Sequence, residues 1–572
     1  MTPRTELRAT YRLQLHAGFP FVAAEAIVPY LADLGVSHLY LSPIWAARPG
    51  STHGYDVVDH ARISPELGGR EGFDALADRA RAHGLGIILD CVPNHMGIGY
   101  DNPWWADMLR WGEASPYAAY FDVEWDALEP SLAGKVLLPV LGDHYGRCLD
   151  DGQLVPDIEG GRMVVRYHEH TVPIHPRDTA ELLETAGRNT DAAVAATLND
   201  LASLARQIAR RRERVSRQRR RADRDRADQL DLQLATARQV PTVEAALRDA
   251  LATFTPTRDD HRPADRLHRL LERQAYRLSY WRLAGEEINY RRFFDVNGLA
   301  GLRMEEPGLF DAVHRLVVEL TAAGVVDGLR LDHIDGLYDP RTYLTRLRRA
   351  TRRGDGTAPW LFVEKILGEH EELRRDWPVD GTTGYEVMAL LHGVQVDPAA
   401  CRPLLALYRS LTQPSAEFHA ETVRAKYLMM STALQAELNV LAMELNRIAK
   451  RSRRTRDFGR HALREALRNV VAHFPVYRTY FSGKRSAAAD LAVIDDAIAR
   501  ARQAAGTPEI EIYDFVRDAL RGEAGGAWSA VSAHLAGRFQ QYTGPVTAKA
   551  VEDTTFYRWV PLASLNEVGS EP

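Results

Sequence analysis

Two short strand-like runs, Val325 to Leu331 and Trp360 to Val363, are each followed by a carboxylate, Asp332 and Glu364, and one helical stretch, Arg341 to Arg353, lies between them. The unit reads strand–helix–strand with a carboxylate at the C-terminal end of each strand. Neighbouring parallel strands of a (β/α)8 barrel bring such residues together at one face, the face where barrels of this kind keep their chemistry. In a strand, side chains two apart share a face, so Arg330 and Asp332 are expected to point the same way. A guanidinium beside Asp332 holds the carboxyl ionised, which suits a nucleophile. Standing alone, an Arg-x-Asp is more often a structural ion pair at a strand end. The second carboxylate, 32 positions on, is what shifts the balance. Retaining glycosidases need two carboxyls about 5–5.5 Å apart, one to attack the sugar and one to give and take the proton.

The N-terminal hundred residues alternate in the same way. Thr10 to Leu15 reads as a strand, Ala23 to Leu34 as a helix stopped by Gly35, His38 to Pro43 as a buried strand, Glu71 to His83 as a helix, and Gly86 to His95 as a strand and its loop. This βα spacing predicts a parallel sheet or barrel. A doubly wound sheet would show the same alternation, but no G-x-G-x-x-G opens a helix after a strand.

At 572 residues the chain is too long for one compact domain. A net charge of −5 gives no reason to expect nucleic acid or an anionic membrane as partner. Cys91, Cys148 and Cys401 are too few and too far apart for a disulfide framework or a zinc site. The N-terminus has no apolar core of a leader peptide, and no run of about 18 apolar residues occurs, so a reducing, cytoplasmic setting is expected.

Composition divides the chain further. Residues 1–100 form the first part of the barrel. Residues 101–176 read as an inserted, lid-like subdomain, with Trp104, Trp105, Trp111, Tyr117, Tyr120 and Phe121 either stacking on sugars or forming its own core, and with strands at Lys135 to Gly142 and Met163 to Tyr167. Residues 177–280 read as a helical insertion. In it Leu198, Leu201, Ala205 and Ile208 mark one stripe. Leu267, Leu270, Leu271, Tyr276 and Leu278 mark a returning helix. The Arg-rich run from Arg210 to Arg226 invites a nucleic-acid reading, but Asp223, Asp225 and Asp228 interleave with it and aromatics are absent, as on a solvated helix. Residues 281–386 return to the barrel, 387–536 form a second helical insertion, and 537–572 hold a last strand at Gly544 to Val551.

The runs Asp90 to His95, Gly328 to Asp332 and Val363-Glu364 resemble three regions of the α-amylase superfamily. Tyr11 to His16, His53 to Asp59, Ile288 to Asp295, Val363 to Leu367, Phe474 to Tyr480 and Ala548 to Thr554 are similar to one family within it, the maltooligosyltrehalose synthases. The resemblance implies a (β/α)8 barrel with the insertions above, Asp332 as nucleophile and Glu364 as acid/base. It implies that Arg330 orients Asp332 and that Tyr55 and His95 grip the sugar. His333, Lys365 and Tyr385, beside the pair or on a turn-rich loop near it, join the expected substrate-binding set. The plainer readings are a strand-end histidine for His95, a loop aromatic packed on Pro43 or Trp45 for Tyr55, and a loop brace for Asp90. The implied reaction moves the last α-1,4 bond of a maltooligosaccharide to an α,α-1,1 bond, with no cofactor and no metal. A hydrolase that releases trehalose, maltooligosyltrehalose trehalohydrolase, is the implied pathway partner.

The resemblance departs at one point. It implies a third carboxylate in a His-Asp-Thr run, and none follows Glu364. The chain is therefore expected to hold an incomplete barrel, with the strand near Thr10 unpaired on one side, and to be aggregation-prone and weakly active as it stands. An α-glucan hydrolase and a non-catalytic glucan-binding fragment are the alternatives.

Overall fold

The computed structural model describes residues 6–188, 190–211, 213, 215–256, 260–368, 370–412, 417–481, 488–505, 510–523 and 530–570. The chain separates into two compact units, one formed by residues 1–97 and 292–572 and the other by 98–291.

The first unit carries six strands, β1 (Thr10–Leu13), β2 (His38–Leu41), β3 (Gly86–Cys91), β4 (Gly328–Leu331), β5 (Trp360–Val363) and β6 (Gly381–Thr382). They lie side by side in sequence order, and every neighbour is parallel. That is the wall of a (β/α) barrel, as the alternation predicts. All residues of β3 and β4 are buried, which fits their largely apolar make-up, Asp90 and Arg330 apart: both faces are covered. Among the described residues β1 pairs only with β2, and β6 only with β5.

The covering helices follow from the apolar spacing. Helix α1 (Gly69–Ala82) buries Phe73, Leu76, Ala77 and Ala80. Helix α2 (Pro307–Ala322) runs ahead of β4, and α3 (Pro340–Ala350), which joins β4 to β5, buries Tyr343, Leu344 and Leu347. The expected single helix from Ala23 to Leu34 is instead two short ones, Phe21–Ala26 and Val28–Asp33. Pro29 in the second cannot donate a backbone hydrogen bond, so a new helix start accommodates it.

Beyond β6 the first unit is helical. Helices Gln435–Ala449, Arg460–Ala472, Ala488–Ala505 and Ile510–Leu520 pack with α4 (Ala530–Ala550) around one apolar core. Here the structure corrects the expected strand at Gly544 to Val551. That segment is the end of α4, followed by a wide helical turn, Val551–Thr555. Leu535, Phe539, Tyr542, Val546 and Ala550 are buried at spacings of three and four, so helical periodicity overrides the Gly544-Pro545 break.

The second unit contains a parallel strand pair, Val136–Leu141 with Tyr276–Tyr280, and an antiparallel sheet of Val155–Glu159, Arg162–Tyr167 and His170–Pro173. Tyr276 and Leu278, expected on a returning helix, are strand residues; the helix ends at Glu272. Trp105 and Phe121 are 1% exposed and Trp111 is buried, so these three form core. The Arg-rich run starts as loop and enters the helix Arg217–Ala237 only at Arg217; Arg212 and Arg214 lie outside the described residues. The helix buries Ala227, Leu230 and Leu234. Two of its acids, Asp223 and Asp231, take ion pairs with arginines, Asp231 accepting from Arg110 at 2.7 and 2.9 Å.

No helix among the described residues is long and apolar enough to cross a membrane.

Candidate active site

Strand register sets the centre of the site. Arg330 on β4 lies opposite Asp90 on β3, and in a parallel pair such residues face the same way. Asp332 and Glu364 follow directly after β4 and β5, and their backbone N–H groups extend the ladder by donating to Cys91 O at 2.8 Å and Leu331 O at 2.9 Å. Both side chains therefore leave the sheet at the same level.

One guanidinium gathers three carboxylates. Arg330 Nη1 donates to Asp90 Oδ1 at 2.8 Å and to Asp332 Oδ1 at 2.7 Å, while its Nη2 lies 3.1 Å from Glu364 Oε1. The other Glu364 oxygen accepts the backbone N–H of His333 at 2.6 Å. His333 adopts a left-handed backbone, φ 46°, and this turn aims its N–H back at Glu364. The Tyr385 hydroxyl reaches Glu364 Oε1 at 3.4 Å. Asp332 Oδ2 is buried and has no hydrogen-bond partner. Asp332 thus has one oxygen anchored and one available.

Electrostatics follow the geometry. The Asp332 pKa is raised, not lowered as the neighbouring guanidinium alone implies: burial pushes it up, the Glu364 carboxylate adds to this, and Arg330 offsets only part of it. Burial also raises Asp90, against the pull of Arg330 and the hydrogen bond from Tyr55. Burial works against the charge on Arg330, but Asp90, Glu364 and Asp332 together drive its pKa upward. Burial and then Glu364 push the Tyr385 phenol up to about 12.

Asp90 is the brace on which this arrangement rests. It is fully buried and accepts from the Tyr55 hydroxyl at 2.5 Å and the Tyr40 hydroxyl at 2.9 Å. Arg12 donates to the Tyr55 hydroxyl at 3.0 Å and lies 3.6 Å from Asp90. Gly54 lets the loop bring Tyr55 here: its φ is +79°, and a Cβ would sit 2.7 Å from the Pro43 carbonyl oxygen.

His95 and His333 stand against an aromatic wall. Phe293 lies 4.3 Å from the His95 ring and 5.0 Å from His333, with Phe294 at 4.9 Å from His333. Sequence reasoning quoted both phenylalanines in a run but gave neither a role. The two adjacent large aromatics were the signal.

Lys365 goes elsewhere. It is 2% exposed, 3.1 Å from Glu371 and 3.4 Å from Asp335, and donates to Ile366 O at 2.7 Å. The structure therefore does not place its ammonium with the carboxylate pair. A further carboxylate in the first unit, Glu552, lies within the run Ala548 to Thr554. Its side chain accepts from the Tyr477 hydroxyl at 2.5 Å. Burial raises its pKa to about 7, Tyr477 opposes this, and Asp553 and Glu364 add to it. Asp553 points to Lys549 at 2.8 Å and is 59% exposed.

Comparison with known proteins places the chain among α-glucan-active relatives by overall similarity. Residues 26–140 match the α-amylase catalytic domain family. A protein of Mycobacterium tuberculosis, provisionally described as a maltooligosyl trehalose synthase, is 35% identical over 99% of this chain and 58% of its own length. The structure of maltooligosyltrehalose synthase from Arthrobacter ramosus superposes with a TM-score of 0.72 at 32% identity, covering 100% of this chain and 58% of that one. A Sulfolobus tokodaii structure described as a hypothetical maltooligosyl trehalose synthase gives 0.67 at 28% identity, over 99% of this chain and 58% of its own. The chain thus spans less than two thirds of the length of the relatives it matches.

Proposed function

We propose that this chain, 35% identical over 99% of its length to a relative described as a maltooligosyl trehalose synthase, performs an intramolecular glucosyl transfer on α-1,4-glucans with a free reducing end. The observation that carries this reading is the shared guanidinium: Arg330 holds Asp332 and Glu364 side by side and leaves Asp332 Oδ2 unpaired.

In this reading Glu364 protonates the oxygen linking the last two glucoses while Asp332 Oδ2 attacks the anomeric carbon. The bond between the two sugars breaks, and the glucan chain becomes covalently bound to Asp332. The freed glucose stays in place, turns, and offers its anomeric hydroxyl to that carbon. Glu364 takes the hydroxyl proton and Asp332 leaves. Two inversions give net retention, and the product ends in an α,α-1,1 link. Transfer outruns hydrolysis when the glucose is held and water is excluded, since effective molarities of well-placed groups reach about 10⁵–10⁸ M. The aromatic wall of Phe293 and Phe294, with His333, His95, Tyr55 and Tyr385, is assigned to holding that glucose.

The three cysteines are free, which supports a reducing, cytoplasmic setting. A product blocked at its reducing end calls for a second enzyme that cleaves beside the new linkage and frees trehalose; maltooligosyltrehalose trehalohydrolase is the proposed partner.

Incubation with maltopentaose tests the reading. Reducing ends are expected to disappear without release of shorter sugars, and a 1,1-linked anomeric signal is expected in the product. Accumulation of glucose and shorter maltooligosaccharides would instead identify a hydrolase.

A further inference from the structure

The second unit contains a pocket of about 400 Å³ that none of the catalytic residues lines. This lies within the range of about 300–1,000 Å³ usual for small-molecule sites. Its floor is the strand Tyr276–Tyr280, whose pairing with Val136–Leu141 shifts register between Leu278 and Tyr280. The shift falls at Ser279, which is 5% exposed and lines the pocket; its hydroxyl has no hydrogen-bond partner. A buried hydroxyl without a partner is uncommon in a folded protein and calls for an explanation.

Rings form the rest of the site. The Tyr280 ring packs 5.1 Å from His144 and 6.0 Å from Trp281, which is 51% exposed. On the facing wall the Tyr145 hydroxyl pairs with His268 Nδ1 at 3.0 Å. Two arginines, Arg277 and Arg282, and two glutamates, Glu272 and Glu286, share the lining. Their charges balance, so the pocket favours neither an anion nor a cation. Aromatic faces suit the apolar C–H face of a sugar ring, and a hydroxyl with flanking carboxylates suits its hydroxyl edge.

We infer that this pocket binds glucosyl residues of an α-1,4-glucan, independently of the carboxylate cluster. The choice of glucan over other neutral sugars rests on the reading that α-glucan is the substrate. Tyr280 supplies the stacking face, and Ser279 donates to or accepts from a sugar hydroxyl.

Calorimetric titration of maltoheptaose into the 572-residue chain tests this, with conversion of maltopentaose followed in parallel. Two classes of binding site are expected. Tyr280→Ala is expected to weaken one of them at least tenfold and leave the other unchanged, while Tyr280→Phe retains both. Should Tyr280→Ala fail to fold, as judged by circular dichroism, Ser279→Val decides, with an expected loss of at least fivefold at the same site. Binding that is identical in the wild type and in each folded variant overturns the pocket, whatever the catalytic result. Binding through Tyr280 and Ser279 in a chain that leaves maltopentaose untouched upholds the pocket and counts against the catalytic reading alone.

Discussion

Asp332 and Glu364 end adjacent parallel strands and meet on the two terminal nitrogens of one guanidinium, Arg330 Nη1 at 2.7 Å and Nη2 at 3.1 Å. Neither carboxylate can shift without disturbing the other, because the fork that binds them is rigid and planar. Asp90, opposite Arg330 on β3, holds the same nitrogen as Asp332, so the fork is itself fixed.

Arg330 is therefore expected to matter twice. Arg330→Leu leaves buried carboxylates uncompensated, and such losses typically cost about 3–5 kcal/mol. Arg330→Lys keeps a charge but not the fork. The lysine variant is expected to fold with a smaller loss in urea denaturation and still to lose at least about 100-fold in turnover, since it cannot place both carboxylates. A lysine variant with ordinary turnover would remove the positioning role.

Asp332→Asn preserves shape and removes the attacking charge. Turnover is expected to fall by about 10³-fold or more, with glucan affinity nearly unchanged, because the group acts in the transition state. Calorimetric affinity and initial rates on one preparation check this. A variant keeping a tenth of the wild-type rate would exclude Asp332 as nucleophile.

Much of the barrel wall was legible because each of its strands announces itself locally. Gly86–Cys91 and Gly328–Leu331 are largely apolar runs opened by a glycine, and Arg330 and Asp332 share a face by strand periodicity alone. Segments governed by distant partners were less legible. Gly544-Pro545 reads as a turn opening a strand, yet Phe539, Tyr542 and Val546 belong to a core built largely by residues about 30 to 120 positions earlier. Tyr276 and Leu278 fit a helical stripe and a strand equally well; pairing with Val136–Leu141 decides for the strand. Lys365, adjacent to Glu364, points the opposite way because neighbours in an extended segment alternate faces. Proximity in sequence was the misleading signal there.

Lys365 is accordingly expected to act on stability. Buried between Asp335 and Glu371, with the rings of Tyr477 and Tyr480 each 5.8 Å away, it compensates two acids that are largely withdrawn from water. Lys365→Met is expected to cost about 3–5 kcal/mol, read as a fall in the urea midpoint. An unchanged midpoint together with a raised KM would return Lys365 to the substrate site.

Buried histidines, His60 and His314 among them, are expected to destabilise the fold in acid. Burial lowers His60 to about 3, with His314 adding to it, and burial lowers His314 to about 4. In the folded chain both stay neutral where the unfolded chain, with pKa about 6.5, takes up protons. Stability from this source is full above about pH 6.5 and is lost as pH falls toward 4. The His60 Nε2 atom is buried without a partner, so His60→Leu leaves no hydrogen bond broken at that atom. It is expected to flatten the decline in urea midpoint between pH 6.5 and 5, and an unchanged slope would exclude His60 as a source.

Glu552 works in the opposite direction. Burial raises its folded pKa to about 7 from an ordinary 4.5. Between those values the folded chain holds a proton that the unfolded chain has released, so stability must fall as pH rises through this window. The contribution is of order 1 kcal/mol, because the residue is only partly screened from water. Glu552→Gln keeps an acceptor for the Tyr477 hydroxyl and removes the charge. Its urea midpoint is expected to lose this decline between pH 5 and 7 while matching the wild type near pH 5. A variant that follows the wild-type midpoint at every pH would show that Glu552 does not hold its proton in that window, and would leave its hydrogen bond to Tyr477 as its sole contribution.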